Sequence, residues 1–233
     1  MADMTTILIT GANKGLGRET ARRLLADGHD VWLAARDPGR GREASEALGA
    51  RLVVLDVTDD DSVAAAAERV GADGGLDVLV NNAGIVGDRG AVPDTTAEDV
   101  GRIFATNVLG IVRVTQAFVP LLERSAAPVI VNVSSGMGSL GVTTDPSRLE
   151  SSLVGLGYPA SKAAVNMLTS MYAKALPGMR VNAVDPGYTA TDLNGHRGTQ
   201  TVEEGAEAIV RMARLDASGP TGTFVDRHGV VPW

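Results

Sequence analysis

The chain contains no cysteine. Disulfides, thiolate nucleophiles and cysteine-ligated metal are excluded together, and a reducing cytoplasm is compatible with the absence. Lysine is nearly missing as well, occurring only at Lys14, Lys162 and Lys174, and the net charge is −7. Such a balance argues against a nucleic-acid partner, because neutralising phosphates calls for clustered Lys and Arg. Histidine is confined to His29, His196 and His228, which fall at a helix end, in a polar loop and in the C-terminal tail. No metal site is expected from them. Long hydrophobic runs are also lacking, and stretches such as Val129–Val133 are too short to cross a bilayer. Met1-Ala2-Asp3-Met4 has neither the basic nor the apolar region of a secretion signal. The expectation is a cytoplasmic protein without a membrane partner.

What is present is alternation. With no repeat, low-complexity tract or long linker, 233 residues suit one α/β domain spanning 1–233. Apolar, β-rich runs lie at Thr6–Thr10, Val31–Ala35, Arg51–Leu55, Val78–Asn81, Val129–Ser134, Arg180–Val184 and Thr223–Val225. Helical patterns separate them at Gly15–Asp27, Arg40–Leu48, Asp60–Val70, Thr96–Leu122, Tyr158–Ala175 and Val202–Leu215. Asp60 and Thr201 suit N-caps, while Gly28 and Gly49 fall where helices should stop. Strands apolar on both faces, each followed by a helix, imply a doubly wound, mostly parallel sheet covered on both sides, a Rossmann fold.

The first strand runs into Thr10-Gly11-Ala12-Asn13-Lys14-Gly15-Leu16-Gly17 and then a helix, the context a glycine motif needs. Gly11 permits the tight turn, Gly15 lets a phosphate approach the backbone, and Gly17 brings the helix close to the strand. The helix start then offers free N–H groups and a positive dipole end to a pyrophosphate. Tyr158 and Lys162 stand four apart on a helical stretch, so they share a face. A phenol of ordinary pKa near 10 is a poor acid or base at neutral pH. A neighbouring ammonium stabilises the phenolate and fits the group for proton exchange with a carbonyl or alcohol oxygen.

The Gly-x-x-x-Gly-x-Gly spacing resembles the short-chain dehydrogenase/reductase family. So do Asp56-Val57 after the third strand, Asn81-Asn82-Ala83-Gly84 after the fourth, and Asn107 inside a helix. Ser134-Ser135 after the fifth strand, Tyr158-Pro-Ala-Ser-Lys162, and Pro186-Gly187 after the sixth complete the series in order. The resemblance implies a catalytic set of Asn107, Ser135, Tyr158 and Lys162. Ser135, the second of its pair, would hold the substrate oxygen, Lys162 the nicotinamide ribose, and Asn107 a water linking Lys162 to solvent. It also implies that Asp56 bonds the adenine amino group near the backbone of Val57. Asn82, Ala83 and Gly84 would line the adenosine side, and Pro186, Gly187, Thr189 and Thr191 the nicotinamide carboxamide. Gly11, Asn13, Lys14, Gly15, Leu16 and Gly17 would form the phosphate turn.

The second strand ends in Ala34-Ala35-Arg36, without the acid that accepts a ribose 2′-OH. Arg36, with Lys14 as a second cation, suits a 2′-phosphate, so the expected cofactor is NADP(H). Within the family the chain looks most like NADPH-dependent carbonyl reductases. The resemblance lies in the Asn13-Lys14 pair, the Ala34–Gly41 strand exit, and the Glu203–Glu207 and Gly219–Val225 tail segments. The Thr143–Gly157 link is much shorter than the insertion of the monomeric animal enzymes. Met137, Leu140, the Val142–Leu156 loop, Tyr188 and Asp192–Gln200 are expected to wall the substrate cleft, with Trp233 either capping it or anchoring the tail. The expected reaction is reduction of a small ketone or aldehyde with Tyr158 as general acid. Two alternatives stay open: alcohol oxidation by the same groups, and a non-catalytic dinucleotide sensor, against which the presence of both Tyr158 and Lys162 counts. A Ser/His/Asp hydrolase fits poorly, since no histidine faces Ser135 from a strand end. The apolar circumference of the Tyr158–Ala175 helix favours a homodimer.

Overall fold

The apolar runs form the sheet because two helical layers cover both of its faces. A computed structural model describes residues 4–87 and 91–233. In chain order the elements are β1 (Thr6–Thr10), α1 (Gly15–Ala26), β2 (Asp30–Ala35), α2 (Pro38–Leu48), β3 (Arg51–Val54) and α3 (Asp60–Ala72). Next come β4 (Val78–Asn81), α4 (Ala97–Phe104), α5 (Gly110–Leu122), β5 (Val129–Val133) and α6 (Leu140–Thr143). The series ends with α7 (Gly157–Ala175), β6 (Arg180–Val184), α8 (Val202–Ala213) and β7 (Phe224–Val225). Seven strands pair in parallel in the order β3-β2-β1-β4-β5-β6-β7.

Ile7 pairs with Val31 on one side and Val78 on the other. The winding reverses at β1, so the crossovers leaving β1 and β4 diverge and open a crevice at their carboxyl ends. One apolar layer joins Ile7, Ile9 and Val131 to Leu24 of α1 and Ile209 of α8. The other joins Leu8, Leu79 and Ile130 to Val63 and Val70 of α3 and Phe118 of α5. Alternate strand residues serve opposite layers, so the strands are mostly apolar on both faces, with Asn132 and Asn182 as buried exceptions.

Helix boundaries depart from expectation where capping decides them. α2 starts at Pro38 rather than Arg40, because Asp37 caps it and proline suits the first helical position. The cap of α3 is Asp59, whose carboxylate accepts from Ser62 N at 2.9 Å, and not Asp60. Thr201 does cap α8, with Glu204 completing a capping box. Gly49 ends α2 at φ 71°, and Gly28 follows α1 at φ 90°. The expected Thr96–Leu122 helix is interrupted by a π turn at Ala105–Leu109. Taken through that turn, Ala97–Leu122 is long and apolar enough to cross a membrane, which inspection of the strand runs missed. Half of its most apolar stretch is buried within the fold. The 143–157 link contains a 3-10 turn at Leu149–Ser152.

Candidate active site

A groove of ≈ 660 Å³ lies over the crevice between β1 and β4. Its floor is the glycine turn. Gly11 adopts φ 63°, and a Cβ there would sit 3.0 Å from Ala83 Cα. A Cβ on Gly17 would sit 2.5 Å from Asn82 Nδ2, so α1 is drawn against the β4 exit only because both positions are bare. Asn82 Nδ2 donates to Thr10 O at 2.8 Å, which makes its amide a brace between the two strand ends. Gly15, at φ 54°, meets nothing closer than Thr191 Cγ2 at 3.7 Å. α1 has neither a side-chain cap nor an acid in its first turn, whereas side chains cap α2, α3, α4 and α8. Its leading N–H groups therefore remain available to an anion beside a bare backbone.

The outer wall carries both signs of charge, with Arg36 and Arg40 beside Asp37 and Asp56, and is only partly as expected. Arg36 is exposed, with its Nε 3.9 Å from Asp56 Oδ2. Asp56 Oδ1 accepts from Thr58 N at 2.9 Å and Thr58 Oγ1 at 2.7 Å. Burial alone would raise this carboxyl, but those bonds and the charges of Arg36 and Arg113 hold it below the ordinary range. Lys14 differs from expectation: its Nζ is 2.8 Å from Asp192 Oδ2, so its charge is already partnered. His196 Nε2 lies 2.8 Å from the other oxygen of Asp192. This cluster bridges the glycine turn and the segment after β6. Arg40, which the sequence reading passed over, lines the groove beside Arg36. Its signal was present, because Asp37-Pro38 starts a helix whose first turn must face the strand ends.

Among residues expected at the nicotinamide end, Pro186 and Thr191 reach the groove. Gly17, Gly187 and Thr189 do not form its wall. Thr189 is turned inward: its Oγ1 donates to Pro186 O at 2.9 Å and packs against Gly205 of α8. Of the expected substrate walls, the Asp192–Gln200 segment contributes Leu193 and His196. Met137, Leu140, Leu153 and Val154 instead surround a separate hollow of ≈ 300 Å³ beside Pro159 and Ala163 of α7. Val142 points into the core. Trp233 stacks on Phe224 with centroids 5.6 Å apart, which makes it an anchor of the tail. Met167 and Met171 of α7 stay exposed.

The structure brings the four expected catalytic residues together. Ser135 Oγ accepts from Met137 N at 3.2 Å and hydrogen-bonds Tyr158. Ser134 lines the groove but its Oγ donates to Asn166 Oδ1 at 2.5 Å, whereas Ser135, outside the groove lining, hydrogen-bonds the phenol. Lys162 lies a turn beyond Tyr158, its Nζ 5.6 Å from the phenol ring centroid and donating to Val133 O at 2.7 Å. Burial pushes Tyr158 up to about 12, with the Ser135 bond opposing the shift and Asp185 adding to it. Burial pulls Lys162 down to about 8, against the attraction of Asp185. Asn107 is buried in the π turn, and its side chain bonds the protein. Its Nδ2 donates to Ile85 O at 2.9 Å and Ser161 Oγ at 3.0 Å, and its Oδ1 accepts from Ile85 N at 2.8 Å. The side chain is thus committed to protein partners. Ser161 Oγ in turn donates to Tyr158 O at 2.7 Å, tying the π turn to the start of α7.

The short chain dehydrogenase family model matches residues 5–201, and the chain belongs to that family. It is 35% identical to a (+)-neomenthol dehydrogenase of Arabidopsis thaliana over 96% of both chains. It is also 35% identical to a (-)-isopiperitenone reductase of Mentha piperita, over 94% of this chain and 95% of the other. Among solved structures, an NADPH-bound carbonyl reductase from chicken fatty liver superposes with a TM-score of 0.87 at 32% identity, covering 99% of both chains. Salutaridine reductase from Papaver somniferum gives 0.84 at 30% identity, over 94% of this chain and 99% of the other.

Proposed function

We propose that this chain is an NADPH-dependent carbonyl reductase, with cofactor and substrate sites on one domain spanning residues 1–233. The observation that carries the reading is the Tyr158 phenol, held between Ser135 and Lys162 at the inner end of the groove. NADP(H) fits the groove: Gly15 leaves room for the pyrophosphate at the free start of α1, and Arg36 and Arg40 face the place of a 2′-phosphate. Guanidinium binds phosphate through charge-assisted, often bidentate bonds, and the acid next to Arg36, Asp37, is engaged as the cap of α2. The reductase names of several relatives and the NADPH-bound neighbour support the same assignment. Bound there, the cofactor supplies the hydride.

The protein's own part is proton handling and orientation. Ser135 Oγ donates to the substrate oxygen and steadies the charge that gathers on it. Tyr158 OH gives that oxygen its proton, and the Lys162 ammonium stabilises the phenolate left behind. Asn107 acts indirectly, fixing the Ile85 backbone and, through Ser161, the first turn of α7. The same groups run backwards for alcohol oxidation; near neutrality the phenol carries its proton, as donation to a carbonyl oxygen requires.

The test is NADPH consumption, followed by absorbance, with a panel of aldehydes, ketones and quinones. The wild type turns over and Tyr158→Phe loses 100-fold or more, about the contribution of a general acid. NADPH binding without turnover of any carbonyl would mark a sensor instead.

A further inference from the structure

Asp185 directly follows β6 and is 3% exposed, yet the reaction as described above gives it no part. The sheet register brings it to the site. Val133 of β5 pairs with Val184 of β6, so Ser134-Ser135-Gly136 and Asp185-Pro186-Gly187 leave the sheet side by side. The Val133 carbonyl holds Lys162 Nζ at 2.7 Å. Asp185 follows the residue paired with Val133. Its Oδ1 accepts from Gly187 N at 2.9 Å, and Gly136 N–H also bonds the carboxylate. A Cβ on Gly136 would stand 2.9 Å from Asp185 Oδ2 and equally 2.9 Å from Glu150 Oε1. A side chain here would push these two carboxylates aside, and this glycine follows Ser135.

We propose that Asp185 is a positioning residue of the reaction: its carboxylate ties the turn carrying Ser135 to the turn after β6 and sets a negative charge beside the Tyr158–Lys162 pair. The inference rests on the reductase reading of this site. The charged and titratable groups around Asp185 are Tyr158 and Lys162 on α7, Glu150 from the 143–157 link, and Asp226 after β7. Glu150 is in turn approached by Arg148 Nε at 3.6 Å. Burial, with Glu150 and Asp226 adding to it, raises the Asp185 carboxyl, while the N–H groups of Gly187 and Gly136 oppose that shift. The charge of Asp185 opposes the desolvation of the Lys162 ammonium.

The sign follows directly. Carbonyl reduction needs the proton on Tyr158 and the charge on Lys162, and a negative Asp185 favours both. An uncharged residue at this position lets either proton leave at lower pH. The experiment compares wild type with Asp185→Asn and Asp185→Ser, both of which keep a hydrogen-bonding oxygen. Profiles of kcat/KM against pH are measured for ketone reduction, together with the ultraviolet tyrosinate titration of each protein without cofactor. Both variants should lose activity on the alkaline side about one pH unit earlier than wild type, and a tyrosinate signal absent from Tyr158→Phe should appear earlier too. A rate lowered equally at every pH, with the alkaline limb unmoved, would reduce Asp185 to a structural brace and overturn the proposal. So would failure of both variants to bind NADPH, which would assign the residue to the fold. A wild type that binds NADPH but reduces nothing sinks the reductase reading instead, and the tyrosinate titration then still decides the effect of Asp185.

Discussion

Lys162 shows at the residue scale how a site can work against the fold that carries it. The ammonium is buried, its pKa falls from 10.5 to about 8, and its donated bond goes to Val133 O. Because the folded state disfavours the charged form, the penalty is complete below pH 8. It shrinks as pH rises towards 10.5, where the unfolded chain also loses the proton. A shift of this size corresponds to about 3 kcal/mol, against about 1 kcal/mol for the lost hydrogen bond in an apolar replacement. Lys162→Met should therefore melt about 4–8 °C higher at pH 7, with the gain gone by pH 10.5, while carbonyl reduction is abolished. Equal melting temperatures at pH 7 would show that the ammonium costs the fold nothing. The residue types here were legible in the sequence, since Tyr158 and Lys162 four apart share one helical face. Their acidities were not, because burial and Asp185 come from other elements.

Elements decide which charges meet the cofactor. β2 ends at Ala35, Asp37 caps α2, and Pro38 starts it, so the first turn of α2 carries Arg40 to the groove beside Arg36. Lys14, which the glycine turn alone would nominate, is held by Asp192. Arg40→Ala should weaken NADPH binding about tenfold or more and leave NADH binding unchanged, as loss of one charge-assisted bond implies. Arg36→Asp adds repulsion and should turn the preference towards NADH. Fluorescence titration with both dinucleotides checks the pair, and parallel losses for NADPH and NADH would remove these arginines from phosphate recognition. The strand–helix alternation was readable from apolar runs. The start of α2, the Asp59 cap and the π turn at Ala105–Leu109 were not, because each depends on a local contact that outweighs periodicity.

Across the whole molecule, the tail fastens the far end of the sheet to the catalytic side. Val231 N donates to Phe224 O at 2.8 Å, and Trp233 stacks on Phe224. Ser139 Oγ donates to Pro232 O at 2.6 Å, and Gly141 N to Trp233 O at 3.2 Å. The segment just beyond Ser135 is thereby pinned to β7. Trp233→Ala removes the aromatic pair and part of its buried area, about 1–2 kcal/mol. The melting temperature should fall by about 2–8 °C, read by circular dichroism. An unchanged melting curve would mean that the tail merely rides on the surface.

Sequence by itself determined the parallel architecture, because runs buried on both faces must be apolar and the helices between them must cross over. It also determined the glycine turn and the Tyr158–Lys162 pair, whose shared helical face follows from spacing, while Ser135 was named by the family resemblance. Only tertiary structure decided that Lys14 pairs with Asp192, that Asn107 braces Ile85, and that Thr189 turns inward. It alone set Asp185 beside Gly136. Those choices are competitions among groups far apart in the chain, and distance and burial, not sequence separation, decide which partner wins.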